Sequence, residues 1–122
     1  ARVNQTIIKN MISKISYVLD DNTHIYLYII KNILLNKGLG NEAHKILEEW
    51  LSNLPNRIEN YSIAEEIKDD IRYYANLIVG IISKVWPNWI GLEDWSSYMN
   101  KDHIKNDVRN GFQMGICLYN QQ

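Results

Sequence analysis

The chain predicts an all-α fold, a single compact bundle of five or six helices, and three observations carry that prediction. Apolar residues recur at three and four positions nearly everywhere, only two prolines and six glycines interrupt 122 residues, and the periodic stretches end at Asp20-Asp21-Asn22, Gly38, Pro55 and Pro87. That length suits one domain, residues 1–122, built on one hydrophobic core.

The first helix, about residues 4 to 19, places Ile7, Ile8, Met11, Ile12, Ile15, Val18 and Leu19 on one stripe. In the second segment His24 to Ile30 is rich in β-formers. Ile25, Ile29, Ile30, Ile33 and Leu34 nevertheless keep helical spacing, so helix is predicted up to Gly38, a left-handed stop that needs no Cβ. Asn41 is the expected cap of a third helix, with Glu42 at the positive end of its dipole. Its stripe runs from Ala43 through Ile46, Leu47, Trp50 and Leu51 to Leu54, and Pro55 is expected to follow its end.

The fourth helix has the clearest start, because Ser62 and Glu65 have capping-box spacing. Ile63, Ile67, Ile71, Tyr74, Ile78, Ile82 and Val85 then run to Pro87, which makes this the central helix. A short helix over about Leu92 to Met99 and a last one over about Asp102 to Tyr119 complete the bundle. Gly111 and Gly115 lie four apart in the last helix. Each costs about 1 kcal/mol relative to alanine there, which points to another backbone passing close by.

With 46% hydrophobic and 22% charged residues the composition is globular. The apolar runs Ile25 to Ile30 and Leu77 to Ile82 fall far short of the roughly 18 to 20 residues of a membrane span, so no membrane helix is expected. Ala1 to Asn10 lacks the pattern of a secretory signal. The single cysteine, Cys117, can form no internal disulfide and suits a reducing, cytoplasmic compartment; its apolar neighbours predict a buried, unreactive thiol.

The net charge of −1 conceals an uneven distribution: residues 1–40 carry +3, 41–71 carry −5 and 72–122 carry +1. Eight of the fourteen acids lie between Glu42 and Asp70. Direct nucleic-acid binding is disfavoured, because phosphate neutralisation needs clustered Lys and Arg. A helix-turn-helix layout over residues 25–54 fails for the same reason: its second helix carries Glu42, Glu48 and Glu49 against Lys45.

On the fourth helix, Glu65 and Asp69 are four apart, as are Glu66 and Asp70, with Lys68 as the local compensation. One reading is a solvated face whose first acids complement the helix dipole. The sharper reading is a docking face for a basic protein, with Tyr73 on the same outward face, beside Asn76, and Trp89 as partly exposed aromatic anchors. Trp86, Trp89 and Trp95 around the proline turn also read as a clamp where the chain reverses.

No catalytic, cofactor or metal motif occurs. The pairs His44/Glu48 and His103/Asp107 have spacing that could share an ion, but the Glu-x-x-His elements of di-iron bundles are absent. The sequence therefore predicts a non-enzymatic binding or inhibitory protein without cofactor or metal. Its most concrete form is an immunity-type antitoxin that covers the cationic cleft of a nuclease toxin. The alternative is an assembly subunit, such as a homodimer formed through the Gly111–Gly115 face or the tryptophan corner.

Overall fold

The computed structural model describes residues 2–16, 18–36 and 40–122. They form six helices: α1 (Arg2–Ile15), α2 (Thr23–Asn36), α3 (Asn41–Asn60), α4 (Glu65–Val85), α5 (Leu92–Met99) and α6 (Asn106–Asn120). The bundle is all-α, as the periodicity predicts. Residues 24–30 are helical despite their β-formers, because Leu27, Ile30 and Leu34 all reach the core at helical spacing. The stop expected at Gly38 lies outside the described residues.

Helix ends depart from expectation for local reasons. α1 stops at Ile15, since the Ser16 hydroxyl and amide both donate to the Ile12 carbonyl, at 2.6 and 2.9 Å, and close the last turn. Leu19 still reaches the core from the loop that follows. α2 begins where Asp20 N–H donates to Thr23 Oγ1 at 3.0 Å and Thr23 N–H donates back to the Asp20 carbonyl at 3.1 Å. The cap of α3 is Gly40 rather than Asn41, and no side chain serves it.

Pro55 lies inside α3 instead of following it. An interior proline costs about 3 kcal/mol, yet the helix continues for a further turn because Ile58 is fully buried and Glu59 is held by a buried arginine. The capping box at Ser62 does not form. Residues 61–63 make a tight turn, Ile63 N–H to the Tyr61 carbonyl, and Ala64 becomes the cap. α6 starts at Asn106, four residues late. Ile104 is buried from a turn ahead of it, and Arg109 binds the Met99 and Lys101 carbonyls at 2.8 and 2.9 Å, tying α6 to the end of α5.

α4 is the centre of the bundle, packed between α2 and α6. Asp69 meets Lys105, Tyr73 meets Gly111 and Leu77 meets Gly115, so α4 and α6 run parallel, with the two glycine contacts four residues apart on each helix. Close approach explains both α6 glycines. A Cβ on Gly111 would stand 2.8 Å from the Tyr73 carbonyl oxygen, and one on Gly115 would overlap that of Leu77. α5 runs back along α4, as a parallel pair requires, with Trp95 opposite Asn76 and Tyr98 opposite Arg72. One core draws residues from all six helices, and no helix among the described residues is long and apolar enough to cross a membrane.

Candidate functional site

The acids of α4 divide into two sets, and Arg72 makes the division. α4 is buried on more than the single stripe read from the sequence, since α5 and α6 cover a second strip that holds Arg72 and Asn76, each 1% exposed. A charge so placed needs partners. Arg72 Nε donates to Tyr98 Oη at 2.8 Å, Nη1 to Asp69 Oδ1 at 2.8 Å and Glu65 Oε2 at 3.4 Å, and Nη2 to Glu59 Oε2 at 2.5 Å. Tyr98 in turn donates to Glu59, 3.2 Å away.

Further basic side chains close the network. Lys105 Nζ lies 3.2 Å from Asp69 Oδ2, Lys68 Nζ lies 3.7 Å from Glu65 Oε1, and His103 Nε2 lies 2.6 Å from Glu59 Oε1. Glu65 stands largely in solvent, so its share of the energy is small. Burial opposes the Arg72 charge, but hydrogen bonds to Tyr98, Glu59 and Asp69 outweigh it and raise its pKa. Burial pushes the Tyr98 phenol up to about 12, with Arg72 pulling the other way. Glu59 feels burial upward as well, yet Arg72, His103 and Tyr98 together hold it below its ordinary value.

Glu65 and Asp69 thus answer to the protein's own cations, which corrects the expectation of four carboxylates free on one face. Glu66 and Asp70 are exposed and make no ion pair among the described residues. They border a groove of about 300 Å³ between α4 and α6, whose other walls include Tyr73, Asp107 and Lys105. Tyr73 is only half-buried and packs against the core edge-on to Tyr74, offering part of its ring to that groove rather than standing free. The candidate docking site is therefore Glu66, Asp70 and Asp107 over the Tyr73 ring.

Two expected companions are elsewhere. Asn76, placed with Tyr73 on the outward face by the sequence, is a buried bridge: its Nδ2 binds the Val108 and Arg109 carbonyls at 2.9 and 3.1 Å, and its Oδ1 accepts from Trp95 Nε1 at 2.9 Å. Trp89, expected to be partly exposed, is only 7% exposed, whereas Ile90 is 92% exposed. The tight turn, Trp89 N–H to the Trp86 carbonyl at 3.1 Å, swings the indole inward over Gly91, where a Cβ would stand 2.6 Å from its ring. The tryptophans form the clamp, not the anchor.

Cys117 is exposed rather than buried, because α6 turns that side away from α4. His44 does pair with Glu48, at 2.9 Å, while His103 reaches Glu59 in place of Asp107. Among the described residues no three His, Cys, Asp or Glu side chains converge as metal ligands would. The signal that sequence reading passed over was Arg72 itself, three residues after Asp69 and seven after Glu65, flanked by apolar residues on both sides. No protein-family model matches the chain, and neither does any curated protein or solved structure.

Proposed function

We propose that this protein is a non-enzymatic binding module that docks a basic protein on the groove between α4 and α6. Its most concrete form is an immunity-type inhibitor covering the cationic cleft of a nuclease toxin. The observation that supports this reading is the pair Glu66 and Asp70, two carboxylates left without internal cations on a helix whose other acids are all engaged, beside Asp107 and an aromatic ring. A cleft made to bind phosphates accepts ordered carboxylates on the same terms, and opposite charge speeds encounter and selects the partner. Because α4 is packed on its other sides, the backbone that carries the two acids is fixed before the partner arrives, which lowers the ordering cost of association.

The homodimer alternative keeps less surface: Gly111 and Gly115 face α4 and Trp89 and Trp95 lie in the core, which leaves half-buried Trp86 and exposed Ile90 at the tryptophan corner. The test compares proteins retained from the source cells by the wild type and by Glu66→Lys with Asp70→Lys, at low and at moderate salt. The reading expects a basic protein that the wild type retains and the variant releases, with both proteins equally folded. Identical retained sets would refute it.

A further inference from the structure

A second site stands at the other end of α4, where the Trp86-Pro87-Asn88-Trp89 turn folds against α3. The space between them is about 350 Å³, at the lower end of the roughly 300–1,000 Å³ usual for ligand pockets and sized for a small group. Its walls are His44 and Glu48 from α3 with Trp86, Pro87 and Trp89 from the turn. The His44 ring stacks on Trp86, centroids 3.5 Å apart and planes 23° from parallel, and His44 Nε2 lies 2.9 Å from Glu48 Oε1.

The charge of this pocket follows from the imidazole. A carboxylate only accepts, so the Nε2 proton belongs to the Glu48 bond. Nδ1 is buried with no hydrogen-bond partner, and a proton there would be a buried donor with nothing to receive it. The ring is therefore neutral. Burial also lowers the His44 pKa, against the upward pull of Glu48. A neutral His44 orients Glu48 without cancelling its charge, and no Lys or Arg is paired with Glu48 among the described residues. What remains is a fixed carboxylate at the edge of indole walls.

We propose that this pocket is a binding subsite for a guanidinium group, with Glu48 as the counter-ion and the Trp86 and Trp89 indoles as its aromatic walls. A guanidinium is flat, weakly hydrated, stacks on aromatic faces and can give two parallel hydrogen bonds to one carboxylate. An ammonium shares the charge but has neither the plane nor the fork. The subsite is independent of the Glu66–Asp70 groove: it uses a different helix and different residues.

The test is a titration of ¹⁵N-labelled protein, followed by the indole N–H signals, with Nα-acetyl-arginine methylamide at constant ionic strength. Tetramethylammonium and sodium chloride serve as comparison cations. The proposal expects saturable shifts of the Trp86 and Trp89 signals with a dissociation constant on the order of millimolar. It expects binding to weaken about tenfold or more in Glu48→Gln, which keeps the hydrogen bond to His44 but removes the charge. Glu66→Gln should bind as the wild type does. Linear, unsaturated shifts, equal binding by Glu48→Gln, or tetramethylammonium binding as tightly as the arginine derivative would each overturn the assignment.

Discussion

Replacing Arg72 by methionine probes the division of the α4 acids directly, because it keeps most of the buried volume while removing the guanidinium. The wild-type group makes hydrogen bonds to Tyr98, Asp69, Glu59 and, at greater length, Glu65. Breaking one side of a buried ion pair costs about 3–5 kcal/mol when the stranded charge stays buried. Here the Glu59 and Asp69 side chains retain 33% and 16% exposure, and His103 and Lys105 remain beside them. Partial solvation places the loss at the low end, about 3 kcal/mol. At roughly 4 °C per kcal/mol for a chain of this size, the melting temperature should fall by about 12 °C. Circular dichroism melts at neutral pH, with urea unfolding for the free energy, measure it. Glu66→Gln with Asp70→Asn should stay within about 0.5 kcal/mol of the wild type, since neither carboxylate has an internal cation. An Arg72→Met melt within about 3 °C of the wild type would refute the reasoning.

Further outcomes follow from the same contacts. Gly115→Ala gains about 1 kcal/mol of helix propensity but overpacks the Leu77 carbonyl at a cost of about 1–3 kcal/mol, so it should lower the melting temperature. Tyr98, at about 12 in the fold against 10.0 ordinarily, favours folding fully below pH 10 and loses that contribution as pH rises toward 12. Melts across that range should show the loss, and Tyr98→Phe should flatten it. Cys117, exposed on α6, should react with a thiol reagent such as dithionitrobenzoate in the native state, with one equivalent consumed before unfolding.

What could be read from the sequence was whatever a single period encodes. Isoleucines at three and four positions located α1, α2 and α4, although the buried face of α2 is Leu27, Ile30 and Leu34 and Ile25 is exposed, and the spacing over Leu92 to Met99 gave α5 to the residue. The cost of glycine in a helix was enough to infer the close approach of α6 before its partner was known. Helix ends were harder, because they depend on tertiary contacts. Ile58 and Glu59 carry α3 through Pro55, and no local rule about proline contains them. The site was half legible for a similar reason. Charge density marked Glu65 to Asp70, but a period of 3.6 shows only one face, while α4 is enclosed on two. Arg72 and Asn76 lie on the second face, and only the packing of α5 and α6 turns them from surface residues into internal bridges. Trp89 turns inward, against its expected exposure, because the direction of an indole after a proline turn is set by the turn's own hydrogen bond and by Gly91.

The central claim is that Glu66 and Asp70, freed by Arg72's hold on their neighbours, present the binding face. Amide spectra of the ¹⁵N-labelled protein, recorded with and without the proposed basic partner, test that most directly. The account predicts shifts centred on Glu66, Asp70, Tyr73 and Asp107 that shrink as salt rises and vanish in the double lysine variant at unchanged melting temperature. Shifts centred instead on the exposed Ile25 and Tyr28 of α2, insensitive to salt and intact in that variant, would contradict it.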